Sequence, residues 1–311
     1  MYRKDIKVLD CTIRDGGLIN DWDFDEEMVR KVFRAVSEAG IDYMEIGYKA
    51  SKKIFSPDKF GKWKFCEEDD IRRVVSEGTN TKISVMVDVD RVELSQILPK
   101  KDSIIDMIRV ATYVQDVDKA IYLANHAIDK GYEATINIMA ISHALEPELD
   151  EALKQIERES SVQAVYVVDS FGALYCEPIE YLVKKYRRIL KTKEVGIHAH
   201  NNQQLGFANT IEGIIYNANY ADASISGIGR GAGNCPMELL LAFLKNPKFD
   251  IRPIFRVIEE VFLPLREKIE WGYIIPYMIT GILDEHPRAA MALRKTADKD
   301  KYCEFYEKLI T

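Results

Sequence analysis

Cysteine is sparse and scattered along this chain. Cys11, Cys66, Cys176, Cys235 and Cys303 are odd in number and show no Cys-x-x-Cys spacing. A disulfide framework is therefore excluded as the source of stability, and a reducing cytoplasm is the expected compartment. No uninterrupted apolar run approaches 18 residues, so no membrane span is expected. No basic segment followed by an apolar stretch stands at the N-terminus, so no signal peptide is expected. An excess of positive charge is missing too. The 50 acidic residues outnumber the 43 lysines and arginines, for a net charge of −7. That argues against broad affinity for nucleic acid or anionic membrane, and leaves room for a local pocket that binds a small anion.

What is present is alternation. Apolar runs at 6–13, 43–48, 82–89, 107–112, 134–141, 164–168, 195–200 and 223–228 read as eight strands. Segments of helical period lie between them. Residues 25–39 place Met28, Val32, Phe33 and Val36 on one face, with Asp25 as N-cap, and 117–130 end at Gly131, a C-cap signal. Helices are also expected over 147–156, 179–190, 205–217 and 236–244. Eight strand–helix units of about 30 residues predict an α/β fold, a closed (β/α)8 TIM barrel over residues 1–250. No Gly-x-Gly-x-x-Gly follows the first strand, which counts against a dinucleotide-binding sheet. After residue 250 the strands stop. Residues 254–269, 277–283, 286–293 and 297–310 read as a C-terminal helical extension, 251–311, packed on the barrel or on a neighbour. The aromatic- and lysine-rich stretch 49–65 is a long loop, either a solvated connector or a lid.

The chemistry concentrates at strand ends. Val195 to Asn202 reads Val-Gly-Ile-His-Ala-His-Asn-Asn, and strand alternation points His198 and His200 the same way, half of a divalent-metal site. The first strand reads Val-Leu-Asp-Cys-Thr-Ile-Arg-Asp-Gly-Gly. Alternation puts Asp10, Thr12 and Arg14 on one face, with Asp15 at the end where Gly16 and Gly17 release the backbone into a loop. Glu45 lies inside the second strand, where a buried carboxylate needs a partner, and Arg14 is the natural one. Asp169 and Ser170 close the sixth strand, and Gly231-Ala232-Gly233-Asn234 follows the eighth. In a barrel these ends converge on one mouth.

Asp10, Thr12, Arg14-Asp15-Gly16, Glu45 and His198-x-His200 together resemble the DRE-TIM metallolyase (HMGL-like) superfamily, over roughly residues 5–245. Within it, residues 196–210, 231–238, 167–170 and 108–112 are most similar to the 4-hydroxy-2-oxovalerate aldolase branch. So is 272–277, where that branch has a tyrosine facing the site, here Tyr277. The resemblance implies a carbon–carbon lyase with Asp15, His198, His200 and Asn234 around Mn²⁺ or Mg²⁺. Arg14, Glu45 and Tyr277 would serve catalysis, and Arg14, Asp169 and Ser170 would contact substrate. The substrates implied are a 2-keto acid of the pyruvate type and an aldehyde. The helical tail resembles a region that meets an aldehyde-consuming dehydrogenase, and a homo-oligomer is compatible with it. A metal-held keto acid with an adjacent guanidinium is suited to stabilising an enolate.

The match is incomplete. Aldolases of this type carry a histidine two residues after Arg-Asp-Gly, as general base; here Leu18 stands there. The synthases carry a carboxylate or amide where Gly17 stands, and the lyase's reactive cysteine has no equivalent, since Cys235 lies beyond Asn234. Tyr277, Tyr48, Lys49, Asn20 and Asp21 remain as bases, with His143 at the mouth; His126 and His286 fall in predicted helices as surface or packing residues. A Claisen-type acyl-CoA/2-keto acid synthase and a metal-binding barrel without turnover remain the alternatives to an aldolase.

Overall fold

Alternating apolar residues need two covered faces, and the chain covers them by closing its sheet. In a computed structural model that describes residues 2–76 and 78–311, eight parallel strands form a closed barrel in sequence order. They are β1 Lys7–Asp10, β2 Tyr43–Tyr48, β3 Lys82–Asp88, β4 Met107–Thr112, β5 Glu133–Ile138, β6 Ala164–Asp169, β7 Glu194–Ala199 and β8 Tyr220–Ala223. The barrel closes where Asp10 pairs with Ala223. The helices α1 Thr12–Asn20, α2 Glu26–Glu38, α3 Glu68–Val74, α4 Val117–Asp129, α5 Glu146–Glu159, α6 Cys176–Ile189, α7 Gly206–Ile215 and α8 Met237–Leu244 complete the units. Asp25 caps α2 by accepting from the Met28 amide at 2.7 Å, a bond worth about 1 kcal/mol. Gly131, at φ +96°, lets the chain leave α4. Branched side chains such as Val32, Val36, Ile83 and Val85 are fully or almost fully buried between helices and sheet.

Two sequence expectations change at this level. The first strand ends at Asp10, and Thr12 to Asn20 coil into α1, so Thr12, Arg14 and Asp15 are helical rather than alternating on a strand. Gly16 and Gly17 do not open a loop. A Cβ on Gly17 would sit 2.0 Å from the Trp22 ring, so glycine is what lets Trp22 pack flat on α1. The last strand lies at Tyr220–Ala223, not at 223–228. Residues Ile225–Gly227 form a 3₁₀ turn in which Ser226 takes φ 56°.

Beyond the barrel, α9 Arg252–Val257 runs through a π-turn at Ile258–Phe262 into α10 Leu263–Arg266. Then α11 Ile275–Ile282, α12 Arg288–Arg294 and α13 Tyr302–Ile310 follow. Ala232, Tyr277, Ile279, Ala290 and Phe305 share one apolar cluster, which seats this tail on the Gly-rich loop after β8. His286 precedes α12 instead of lying within it. No helix among the described residues is long and apolar enough to cross a membrane.

Candidate metal centre

The end of β7 and the bridge just after it aim His198 and His200 into the mouth, and the first turn of α1 brings a carboxylate to meet them. One donor atom each from Asp15, His198 and His200 lies within 4.8 Å of the others, and all three residues are buried. The imidazoles are oriented from behind. Asp222 on β8 accepts from His198 Nδ1 at 2.9 Å, and the Gly233 carbonyl lies 3.3 Å from His200 Nδ1. A proton held on Nδ1 leaves each Nε2 lone pair free to ligate, the usual arrangement around a metal-bound histidine. His198 Nε2 lies 3.3 Å from Asp15 Oδ2 but has no hydrogen-bond partner. Asn234 pairs its backbone with His200 in an isolated bridge, and its buried Oδ1 is likewise without a partner. Buried acceptors without donors are costly. Orphaned lone pairs at His198 and Asn234, beside Asp15, fit a divalent cation.

The charges beneath this site agree. Arg14 pairs with Asp15 and, at 2.5 Å, with Glu45. Arg109 on β4 reaches Glu45 at 3.0 Å and Asp222 at 2.6 Å, and lies over the Tyr166 ring. Three buried carboxylates thus face two guanidiniums. One negative charge is left over, as suits a cation-binding site. Burial opposes the charge on Asp15, yet Arg14 and the two imidazoles hold its carboxyl well below the usual carboxylate range. Burial keeps His200 neutral, well below the ordinary imidazole value. Asp10 stands apart: burial pushes its carboxyl up to about 7 while Thr12 Oγ1 and the Thr12 amide donate to it.

A cavity of about 510 Å³ opens above the centre, with Asp15, His198 and His200 in its floor and Arg14, Leu18 and Ser170 along its wall. Ser170 Oγ accepts from the Ala140 amide at 2.8 Å. Asp169 is turned away from the cavity. Its carboxylate accepts from the amides of Ala173 and Leu174 at 3.0 and 3.4 Å, shaping the loop after β6. Tyr277 packs behind Gly231 in the tail cluster rather than on the cavity wall. Lys49 Nζ donates to the Cys66 carbonyl at 3.1 Å, and Asn20 to the Asp23 carbonyl. Asp21 takes a left-handed conformation as the C-cap of α1. His143 is half exposed and bonded to Asp284. His126 belongs to α4 on the outside of the barrel. Tyr48 does line the cavity.

Several residues escaped the sequence reading. Arg109 and Asp222 stand in the middle of apolar strands, and a charge there is a signal that a buried partner exists. Lys64 lies in the aromatic loop at 49–65, only 5 % exposed, with its ammonium 3.9 Å from the Trp22 ring centroid, 4.2 Å from Tyr48 and 4.4 Å from Phe55. It opens into the cavity, so the inner end of this loop belongs to the site while residues 52–54 and 57–59 face solvent. His286, which reads as a surface or packing residue, also lines the cavity, as does Arg230.

A closed parallel barrel with a carboxylate and two imidazoles at one rim is a (β/α)8 architecture carrying a candidate divalent-cation site. The chain belongs to the HMGL-like family, whose model matches residues 5–259, and it is an enzyme of the carbon–carbon lyase class. A 4-hydroxy-2-oxovalerate aldolase of Bacillus thuringiensis is 30% identical over 277 residues, covering 87% of this chain and 80% of that one. An oxaloacetate decarboxylase of Mycobacterium tuberculosis is 29% identical over 239 residues, covering 77% and 70%. A solved structure from Bacteroides vulgatus, the N-terminal domain of a protein named as a candidate aldolase, superposes with a TM-score of 0.79. It is 31% identical and covers 96% of this chain and 100% of that one.

Proposed function

We propose that this chain is a divalent-cation-dependent aldolase that cleaves or forms 4-hydroxy-2-oxo acids, with a pyruvate-type enolate and an aldehyde as the two fragments. The observation that carries this reading is the buried trio Asp15, His198 and His200 directly beside the Arg14 guanidinium. Mn²⁺ or Mg²⁺ suits one carboxylate, two imidazoles and an amide oxygen, and when bound it would supply Lewis acidity to the keto oxygen of the substrate.

The chain's own residues do the rest. Arg14 is clamped by Asp15 and Glu45, so its positive charge is fixed before substrate arrives and stabilises the oxyanion as the enolate forms. Glu45 is a positioning residue, buried under Arg14 and shared with Arg109. In cleavage, a base removes the C4 hydroxyl proton, the C3–C4 bond breaks, the aldehyde departs, and its electron pair remains in the enolate. The enolate is then protonated at C3. Leu18 offers no base, and we assign the proton transfer to the wall formed by Tyr48 and Lys64. Burial pushes the Lys64 pKa down to about 8, with Arg91 adding to the effect and Asp88 opposing it, so the amine exchanges protons near neutrality.

A second reading shares the enolate. Decarboxylation of a 2-keto acid bearing a 3-carboxylate breaks a C–C bond without any hydroxyl proton to remove, and Leu18 favours it for that reason. The two are separated by assaying pyruvate release from 4-hydroxy-2-oxo acids and CO₂ release from oxaloacetate, each with Mn²⁺ and with EDTA. Aldol turnover that vanishes with EDTA and falls more than about 100-fold in Asp15→Asn supports the main reading. Metal-independent turnover removes it.

A further inference from the structure

The cavity has two ends, and the charges at the outer end are not balanced by the protein. Asp90 and Asp116 both pair with Lys119, at 2.7 and 2.9 Å. Asp88 pairs with Arg91 at 3.5 Å, and Arg14 is taken by Asp15 and Glu45. Lys64 is held among aromatic rings, which leaves Arg230 and Arg288. Neither has a carboxylate within 4 Å among the described residues, and both line the cavity. The Arg230 backbone amide donates to Asp15 Oδ1 at 3.0 Å, so this residue is anchored on the metal carboxylate. Its guanidinium crosses to the Ser170 carbonyl, and its Nε is buried without a partner. A half-buried guanidinium held by one neutral carbonyl is under-compensated, and an oxyanion is the ligand that matches its fork of donors.

Between the two arginines sits His286. Its Nδ1 accepts from the Arg288 amide at 3.1 Å, so that nitrogen carries no proton and the neutral ring has its N–H at Nε2. The ring packs against Phe171, centroids 5.6 Å apart. Burial, together with Arg230 and Arg288, holds the His286 pKa down to about 4, so the ring stays uncharged beside the two cations. His286 and Arg288 lie beyond residue 259, where the match to the family model stops. The outer end of the cavity therefore draws on the tail as well as on Arg230 of the matched barrel.

We infer that the second fragment carries an oxyanion group, a carboxylate or a phosphate, which docks on Arg230 and Arg288 while its carbonyl faces the enolate at the metal centre. This rests on the aldolase reading for the reaction, but the anion site itself does not. The substrate class is then an aldehyde with an acidic terminus, not a simple alkyl aldehyde.

The test couples pyruvate, with Mn²⁺, to matched pairs: succinic semialdehyde against butyraldehyde, and glycolaldehyde phosphate against glycolaldehyde. The acidic member of at least one pair is favoured in kcat/KM by about 30-fold, and Arg288→Met reduces that preference about tenfold. The pair that shows it separates carboxylate from phosphate. Calorimetry of succinate and methylphosphonate binding to the Mn²⁺-loaded protein and to Arg288→Met reads the site without turnover. Neutral aldehydes used as well as acidic ones, with a preference that Arg288→Met and Arg230→Gln leave unmoved, overturn the inference and spare the aldolase. Anion binding weakened about tenfold by Arg288→Met, with no aldehyde of either kind coupled, supports the anion site and overturns the aldolase reading.

Discussion

Replacing Asp222 by leucine separates the two jobs that one carboxylate does. Its Oδ2 accepts from His198 Nδ1 at 2.9 Å and from Arg109 at 2.6 Å, and all three side chains are buried. A leucine of similar size offers neither donor an acceptor, and it removes the charge. Arg109 is left with Glu45 alone, 3.0 Å away, at a position with no access to water. Removing one partner of a buried ion pair costs about 3–5 kcal/mol. Glu45 still compensates Arg109, so the lower end applies, and for a chain of this length about 3 kcal/mol corresponds to a fall of roughly 5 °C in Tm. Independently, His198 loses the group that fixes its tautomer and aims Nε2, which weakens metal affinity by about 10- to 100-fold. Differential scanning calorimetry of the metal-free protein reads the first effect, and Mn²⁺ titration calorimetry reads the second. A folded Asp222→Leu protein that binds Mn²⁺ as tightly as wild type refutes the argument that Asp222 orients a ligand.

Other consequences follow from named contacts. If neutral Lys64 accepts the substrate proton, kcat/KM for cleavage rises with pH and levels off above about 8, because a lowered lysine pKa is the pH below which the amine is charged and idle. Lys64→Met abolishes that limb while the protein still binds Mn²⁺; an unchanged pH profile excludes the lysine. Gly17→Val drives a side chain into the Trp22 ring, whose Nε1 donates to the Arg14 carbonyl at 2.9 Å. Overpacking of this kind costs about 1–3 kcal/mol, and the denaturation midpoint falls accordingly. A wild-type midpoint in Gly17→Val contradicts the packing assigned to α1.

The barrel and half of its site are legible in the sequence because period two is unambiguous where apolar runs are long. His198 and His200 share a face as β7 requires, and the strands at 43–48 and 107–112 match residue for residue. The first strand misleads for a physical reason. Cys11 and Ile13 continue its apolar alternation, and two glycines, each costing up to about 1 kcal/mol in a helix, argue against one. Packing of Trp22 and Ile228 against those glycines offsets the cost, and only tertiary structure shows it. Similarly, Ile225 and Ile228 imitate a strand while Ser226 breaks it with a positive φ. Arg109 and Asp222 were visible as charges in apolar strands, but their pairing spans 113 residues. Arg230, His286 and Arg288 come from the β8 loop and the tail, and nothing local in either segment announces that they share a wall.

Crystals grown with Mn²⁺ and read by anomalous scattering at the manganese edge test the central claim most directly. The account predicts one strong peak at coordination distance from an Asp15 carboxylate oxygen and from Nε2 of both His198 and His200, lost in Asp15→Asn. A manganese ion held elsewhere, or none at this rim of the barrel, contradicts it.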